Sequence, residues 1–460
     1  MRIFDYLNIS NERSIFADSG FHVQRNVIQH ILQKRNDYHF FLTVPYSQLS
    51  KVSHLSSDLL TFLPYHYSGG SGNKYHFNTN ELWNLMDMWH KDWDLVINNE
   101  VILGNQFRNM FCYKSHFNIP IINYIHWVNT TEEDTQQQWD TFNSIRWCYN
   151  TYCNSQFGRQ LVLKNLHKIY QEQIAEYIEN KLKVLPVGFN DKELLEHKSK
   201  GTFDKTTLIF NHRISQYTGY EKLLKECNKI YKSGTKDFQL IFTNPATSMT
   251  RMSLKYPFVK VYEQVPTYEE YIKLLWKSDI CFGLHNGQNQ WSIAFLEALF
   301  CNNIPITTND IFYKEMLPFK TFELKELKFV IENIDGITKP KYDLERYYWR
   351  NLVNQYIDMY ESNIAEYESE NDTLKNPEQS KVLNQVKSFF KTHPIIDKQE
   401  ILSMRGKLTG SGVGCQTPYS KYRKELLKVT DDVIGKEKSY YRLKDMSKAN
   451  RKPVDWWLDK

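Results

Sequence analysis

Short apolar runs of strand length alternate with segments of helical period, and the whole pattern occurs twice along the chain. In the first half the runs are MRIFDYLNI, HFFLTV, DLVINN, PIINYIHW, YNTYCNS and KVLPVGF, bounded by turn residues such as Asp18-Ser19-Gly20 and Pro45. Between the first two, FHVQRNVIQHILQ carries apolar residues at helical spacing. Runs that are apolar on both faces suit parallel strands with helices on either side, so residues 1–190 are expected to form a doubly wound, Rossmann-like α/β domain. The second pass, over 191–342, has TTLIFNHR, FQLIFTN, FVKVYEQV, SDICFGL and NIPITTN as strands, with YEKLLKECNKIY and SIAFLEALF as helices. Thr267, with Glu270 three residues on, is a capping-box start for the helix YIKLLWK. A long helical stretch in 343–370 follows, and the polar segment NDTLKNPEQS, 371–380, reads as a linker.

A chain of 460 residues can bury several cores without covalent staples. Its cysteines, at 112, 148, 153, 227, 281, 301 and 415, form no C-x-x-C pair that would suggest zinc or redox chemistry, which fits a reducing compartment. MRIFDYLNIS lacks the basic start and apolar stretch of a signal peptide, and no run approaches the roughly 20 apolar residues of a membrane span. The expected location is the cytoplasm (the host's, if the chain is viral), with no membrane partner.

Charge is distributed unevenly. Residues 381–460 hold 18 Lys and Arg against 9 Asp and Glu, while the remainder holds 40 against 44. All of the positive excess therefore lies in the tail, as expected of a module with a polyanionic partner. There QVKSFFKTH and DKQEILSM read as short helices, GSGVG as a loop, and TPYSKYRKELLK as a helix with Thr417 at N-cap and Pro418 at N1. VIGKEKSYYRLK reads as a hairpin turning near Gly435. Three helices and a hairpin are the order of a winged helix-turn-helix-like domain. Tyr419, Ser420, Lys421, Tyr422, Arg423 and Lys424 crowd the N-terminal half of the third helix, where major-groove readers place their contacts. Lys436 and Lys438 would lie on the wing near phosphates, making double-stranded DNA the expected partner. A solvated basic helix is the other reading of the same residues.

The stretch TLIFNHRISQYTGYEKLL, followed by VPTYEEYIKLLWKSDICFGLHNGQNQWSIAFLEALFCNNIPITTND, resembles the donor-binding half of retaining glycosyltransferases of the GT-B fold. In that family a strand ending in Gly/His-Arg precedes a helix, and two Glu with seven residues between them bracket a turn and a helix start. Glu297 matches the second Glu, and Asn289 stands where the first would be. The match spans about residues 206–318, with a looser echo across 1–190. The NHR triplet also resembles the glycosyltransferases that modify queuosine in tRNA.

The resemblance implies Arg213 as the electrophilic residue that stabilises the departing diphosphate, and Glu297 as the clamp on the donor ribose. A helix N-terminus at SIAFLEALF suits a diphosphate, so residues from Asn289 through Ser292 to Ile293 are the expected cradle. His126, at the end of an apolar strand, stands where relatives often have a histidine near the donor sugar; a buried structural histidine is the alternative. Gly20 would face the diphosphate across a cleft. Two departures stand out: Thr218 occupies the place of the family's Lys, leaving Lys222 as the nearest replacement, and Asn289 replaces a charged Glu by an amide. Glu315 is a pocket-edge candidate. Asp92-Trp93-Asp94 is a D-x-D that in another glycosyltransferase class holds a divalent metal, but here it directly precedes a strand, so no metal is expected.

The resulting expectation is a retaining hexosyltransferase that moves a sugar from a nucleotide-sugar donor, UDP-glucose first among them, to a hydroxymethylated base in DNA. Phage DNA glucosyltransferases are similar in function. Flipping the base from the stack would bring it into the cleft. The rivals are a tRNA glycosyltransferase, a catalytically inactive GT-B nucleic-acid-binding protein, and a surface-polysaccharide glycosyltransferase whose basic tail meets anionic lipid.

Overall fold

The computed structural model describes residues 1–7, 9, 15–66, 81, 93–113, 119–127, 135–214, 216–243, 255–261, 267–285, 291–308, 311–317, 319, 321–339, 341–373, 395–397, 434–437 and 440–443. The first sheet is wholly parallel, with strand order β3-β2-β1-β4-β5-β6-β7. Its strands are β1 Arg2–Tyr6, β2 His39–Pro45, β3 Leu60–Tyr65, β4 Leu95–Asn98, β5 Ile121–Ile125, β6 Asn150–Cys153 and β7 Leu182–Val184. Alternate residues divide between two cores. Ile3, Phe40, Leu42, Ile97 and Ile122 join one, whereas Phe4, Phe41, Val96 and Ile121 join the other. This division is why the strands read as continuous apolar runs rather than as alternating ones. The main helices of this half are α1 Ser19–Leu32, α2 Gly104–Tyr113, α3 Thr135–Trp147 and α4 Gln156–Ile169.

The second sheet is also parallel, in the order β10-β9-β8-β11-β12. It comprises β8 Thr206–Phe210, β9 Phe238–Phe242, β10 Val259–Val261, β11 Ile280–Gly283 and β12 Ile304–Thr307. One face is covered by α5 Tyr220–Lys232 through Leu223, Leu224, Cys227 and Ile230. The other is covered by α6 Tyr268–Lys277 and α7 Ile293–Phe300, with α8 Ile311–Met316 beyond them. Thr267 caps α6 in the reciprocal box with Glu270 that the sequence predicts.

The last core helix, α9 Trp349–Thr373, returns to the first sheet, where Trp349, Leu352, Val353, Tyr356 and Tyr360 pack in the same core as Val23, Val27 and Ile31 of α1. It runs three residues into the segment expected as a linker, whose remainder lies outside the described residues. The two crossings between the halves are tied together: Phe189 N–H donates to Tyr347 O at 3.0 Å, and Trp349 N–H donates to Phe189 O at 3.1 Å. A Cβ at Gly188 would lie 2.7 Å from Tyr347 O, so only glycine lets these two segments approach.

Three differences from the sequence reading have local causes. The strand β3 was not expected, because Thr61 and Pro64 interrupt its apolar run; it forms the sheet edge, where a proline that cannot donate is tolerated. KVLPVGF contributes only its start, since β7 ends at Val184. The tail hairpin does not turn at Gly435: β14 Ile434–Glu437 and β15 Tyr440–Leu443 stay paired to Glu437↔Tyr440, so Gly435 and Lys436 both lie within β14. An additional strand, β13 Ile395–Asp397, pairs antiparallel with β15, giving the order β13-β15-β14. The expected third helix with Tyr419, Ser420, Lys421, Arg423 and Lys424 lies outside the described residues, as does Lys438. Among the described residues no helix is long and apolar enough to cross a membrane.

A buried amide fastens α9 to the first sheet. Asn363, 0% exposed, donates to Tyr152 OH at 2.7 Å and to Met359 O at 2.6 Å, and accepts from Asn150 Nδ2 at 2.7 Å. In Asn363→Leu these partners on β6 lose their bonds inside the core. Urea unfolding is expected to show a loss of roughly 2–4 kcal/mol, and an unchanged midpoint would refute the anchoring role.

Candidate functional site

The carboxyl edges of the two parallel sheets face each other, and the contacts between the halves are made there. The His22 ring on α1, which follows β1, lies 5.8 Å from the Tyr268 ring at the start of α6. On α8, which follows β12, Glu315 accepts from Gln156 N–H at 2.9 Å and from Phe157 N–H at 3.0 Å, both in the first turn of α4. Glu315 is thus not a solvated pocket-edge carboxylate: it caps a helix of the opposite half, adding to Ser155, whose Oγ accepts from Gly158 N–H. Ligand crevices of open parallel sheets form at this edge.

On the second half, the residues after β8 turn in alternate directions. Asn211 is 5% exposed and donates to Tyr271 OH at 3.1 Å and to Ala294 O at 2.6 Å. His212, also buried, donates from Nε2 to Phe282 O at 2.5 Å, and burial pushes its pKa down to about 4. Its ring meets His285 edge-on at 4.6 Å, and His285 is paired with the Tyr313 hydroxyl and is likewise held neutral by burial. Arg213, by contrast, is exposed. Two inward-pinned side chains therefore fix the direction in which the third leaves the sheet.

At the N-terminus of α7, Ser292 is the N-cap and accepts from Phe295 N–H at 3.2 Å, while the Trp291 indole donates to Val187 O at 2.9 Å beside the inter-half crossing. Ile293 packs partly buried against both cores. This start is held from both sides, with the N–H groups of its first turn directed outward along the helix axis. Asn289 lies outside the described residues. Thr218 is 0% exposed, so the position that the family gives to Lys faces the interior here; Lys222, on the first turn of α5, is exposed.

Glu297 differs from its expected role as an open ribose clamp. It is 4% exposed, and its two oxygens accept from Tyr268 OH at 2.9 Å and Tyr271 OH at 2.7 Å. These tyrosines lie three residues apart on α6, one helical turn, so the carboxylate binds α7 to α6. The sequence offered a signal in YEEY, whose tyrosines fall on one helix face, but not the long-range pairing.

On the first half, His126 stands just beyond β5, half-buried, with Nε2 at 3.0 Å from Asn99 Oδ1. Asn99 in turn donates to Asp5 Oδ1 at 2.7 Å and to Tyr6 O at 3.0 Å, and accepts from Gln24 Nε2 at 2.6 Å. Burial pushes the Asp5 carboxyl up to about 7. None of these three partners was foreseen from sequence. Gly20 permits the first turn of α1 to approach Leu7, but its N–H is bonded to the capping Asp18 carboxylate at 2.9 Å. An anion there would compete with that cap. Asp94 accepts from Arg2 N–H at 2.7 Å before β4, at the amino edge of the sheet and thus on the side away from the cleft; Asp92 lies outside the described residues.

No family model matches this chain, and no curated protein does. Solved structures do. A glycosyltransferase from Rickettsia africae superposes with a TM-score of 0.55 at 12% identity, covering 79% of this chain and 98% of its own. Anabaena HepE, solved in complex with UDP-glucose, gives 0.54 at 12% identity, covering 80% of this chain and 100% of its own. The N-terminal domain of a Candida albicans trehalose-6-phosphate phosphatase gives 0.56 at 12% identity, covering 79% and 99%. Together with the two facing parallel sheets, these likenesses establish the GT-B fold.

Burial pushes the Glu297 carboxyl up from 4.5 to about 7, and the hydroxyls of Tyr271 and Tyr268 offset only part of that rise. The folded chain therefore holds this proton more tightly than the unfolded one. The stability it contributes is complete below pH 4.5 and is lost as the pH rises through about 7. In Glu297→Gln this loss is absent, so urea titrations at pH 5 and pH 8 are expected to show the variant gaining on the parent by on the order of 2 kcal/mol. An identical pH dependence of the two proteins would contradict a protonated, buried Glu297.

Proposed function

We propose that this protein is a retaining glycosyltransferase that moves a sugar, with UDP-glucose as the first donor to test, to a hydroxymethylated base in double-stranded DNA. The observation that carries the reading is the placement of Arg213: it is the exposed member of NHR, at the carboxyl edge of β8, on the same edge as the fixed N-terminus of α7. A guanidinium and a helix N-terminus at one edge suit a diphosphate and the charge that builds on it as it leaves. HepE, of the same fold, is described with UDP-glucose bound, which supports a nucleotide-sugar donor. Glu297 then acts on the donor through the position of α7, and Lys222 supplies positive potential from α5.

In the proposed step, the acceptor hydroxyl oxygen forms the new bond to the anomeric carbon on the face from which the diphosphate departs. The bond to the phosphate oxygen breaks, and that oxygen takes the acceptor proton. No metal is needed for this arrangement. His126 faces the sugar from the first half, and Trp127 beside it, 43% exposed, offers an indole face on which an extruded base can stack. Support for a nucleic-acid acceptor comes from the basic residues 381–460 and from the sheet β13-β15-β14, in which a strand before the expected third helix pairs with the hairpin after it. The specific observation favouring a tRNA acceptor instead is the NHR triplet itself.

Labelled nucleotide sugars incubated with hydroxymethylcytosine, hydroxymethyluracil and unmodified DNA, and with tRNA, separate these acceptors. Label is expected on a hydroxymethylated duplex, at an undiminished rate in EDTA. Arg213→Ala should lower kcat by roughly 10²–10³-fold with donor affinity little changed. Full transfer by that variant would remove the assignment of the site.

Deleting 381–460 is expected to preserve donor hydrolysis while transfer to long duplex DNA collapses. Binding of the intact chain should weaken steeply with salt as Lys421, Arg423 and Lys424 release counterions. Equal transfer by the truncated chain would move the acceptor module elsewhere.

A further inference from the structure

At the edge of the first sheet opposite the cleft, where the chain enters β6 and β7, cations from several elements meet aromatic rings. Arg108 on α2 and Arg146 at the end of α3 both lie over the Trp147 indole, at 4.4 Å and 4.8 Å from a ring centre, and Arg146 also lies 5.9 Å from the Tyr170 ring just beyond α4. Trp139, 45% exposed, meets the same Tyr170 edge-on. Lys181, the residue before β7, donates to Cys148 O at 3.1 Å and sits over the exposed Tyr177 ring. Nearby Arg159 is bonded to Glu179 at 3.1 Å, but among the described residues Arg108, Arg146 and Lys181 have no carboxylate partner. Stacking on a ring consumes no guanidinium N–H donor, and the donors of Arg108 and Arg146 are open to solvent. The two like charges over Trp147 stand within about 9 Å of each other, on the order of the Debye length at physiological salt, so they repel until an anion is shared between them.

This surface adjoins the place where the basic tail leaves the core. Tyr149, between Trp147 and β6, packs edge-on at 5.1 Å against Tyr367 near the end of α9. α9 ends at Thr373, and residue 381, where the positive excess begins, is within roughly 25 Å of that end along an extended chain. A basic tail is repelled by uncompensated arginines, whereas a polyanion long enough to touch both surfaces neutralises both.

We propose that Arg108 and Arg146, stacked on Trp147, form a second nucleic-acid-binding surface on the side of the first half away from the cleft, holding the phosphate backbone of the same duplex that the tail engages. It goes beyond the proposed function, because it lengthens residence on long DNA without taking part in the chemical step. Contacts of this kind go to phosphates and carry no sequence preference.

The test is binding of the full chain to a long DNA duplex, without donor, over a series of salt concentrations. The parent is compared with Arg108→Gln/Arg146→Gln and with Arg108→Lys/Arg146→Lys. The Gln pair should lower the slope of log affinity against log salt by about two and weaken binding roughly tenfold at physiological salt. The Lys pair keeps both charges and should keep the slope. An unchanged slope in a folded Gln pair overturns the proposal and leaves the tail and the acceptor reading standing. Equal losses in the two pairs would trace the effect to packing on Trp147 and refute a phosphate contact. A parent that binds no duplex overturns this surface together with the DNA-acceptor reading, whereas a changed slope without any transfer to DNA removes only the latter. Phosphatidylserine vesicles are the counter-probe: vesicle binding lost in the Gln pair, with duplex binding intact, would assign the surface to a membrane and overturn the proposal.

Discussion

Phe189 donates to Tyr347 and accepts from Trp349, so the two places where the chain passes between the sheets form one hydrogen-bonded strap. Its closeness depends on Gly188, where a Cβ would collide with Tyr347 O. From the strap, α9 runs back over the first sheet, and Trp291, at the mouth of α7, bonds Val187 O one residue before the glycine. The start of the candidate diphosphate cradle is thus referenced to the hinge rather than only to its own sheet. Glu315, capping α4 from α8, fixes a second point between the halves. A cleft between two sheets with separate cores needs such fasteners, because each core is satisfied without the other.

Burial then decides which groups at the cleft are charged. His22 and His212 are pushed down to about 4, and Asp5 and Glu297 up to about 7, in each case with desolvation as the largest cause. The low values keep both imidazoles neutral near pH 7, and the raised ones let the two acids hold their protons well above the usual carboxylate range. Arg213 is exposed. Under the proposed function, its guanidinium would meet the anionic leaving group.

The strands β8, β9, β11 and β12 were legible because each is a short apolar run buried on both faces, and the capping box of α6 was legible because Thr267 and Glu270 interact locally. β3 was not, since an edge strand need not be continuously apolar and can carry Pro64. The turn of the tail hairpin was misplaced at Gly435, as glycine is a turn signal only when the ladder actually ends there; the pairing continues two residues further. At the candidate site, the start of α7 at Ser292 follows from local sequence, whereas the role expected of Arg213 comes from the resemblance. The partners of Glu297 lie 26 and 29 residues away, and Asp5 lies 94 residues from Asn99, separations that leave no mark in a linear pattern.

The amide between Asp5 and His126 also bears on the proposed chemistry. A carboxylate in direct contact with an imidazole can stabilise the cation that forms when the ring takes a proton, which is how a histidine becomes an effective base. Asn99 carries no charge and does not pass a proton along, so it orients His126 without giving Asp5 direct contact with a developing imidazolium. On the opposite half, burial holds the pKa values of His212 and His285 low, which makes both imidazoles weak bases. Under the proposed function, the leaving phosphate oxygen beside Arg213 would take the hydroxyl proton. In that reading the oxygen lies on the face from which it departs, and an attack coupled to proton delivery there would preserve the anomeric configuration. The hydrogen-bond chain on the first half and the guanidinium on the second are therefore consistent with the same stereochemical course.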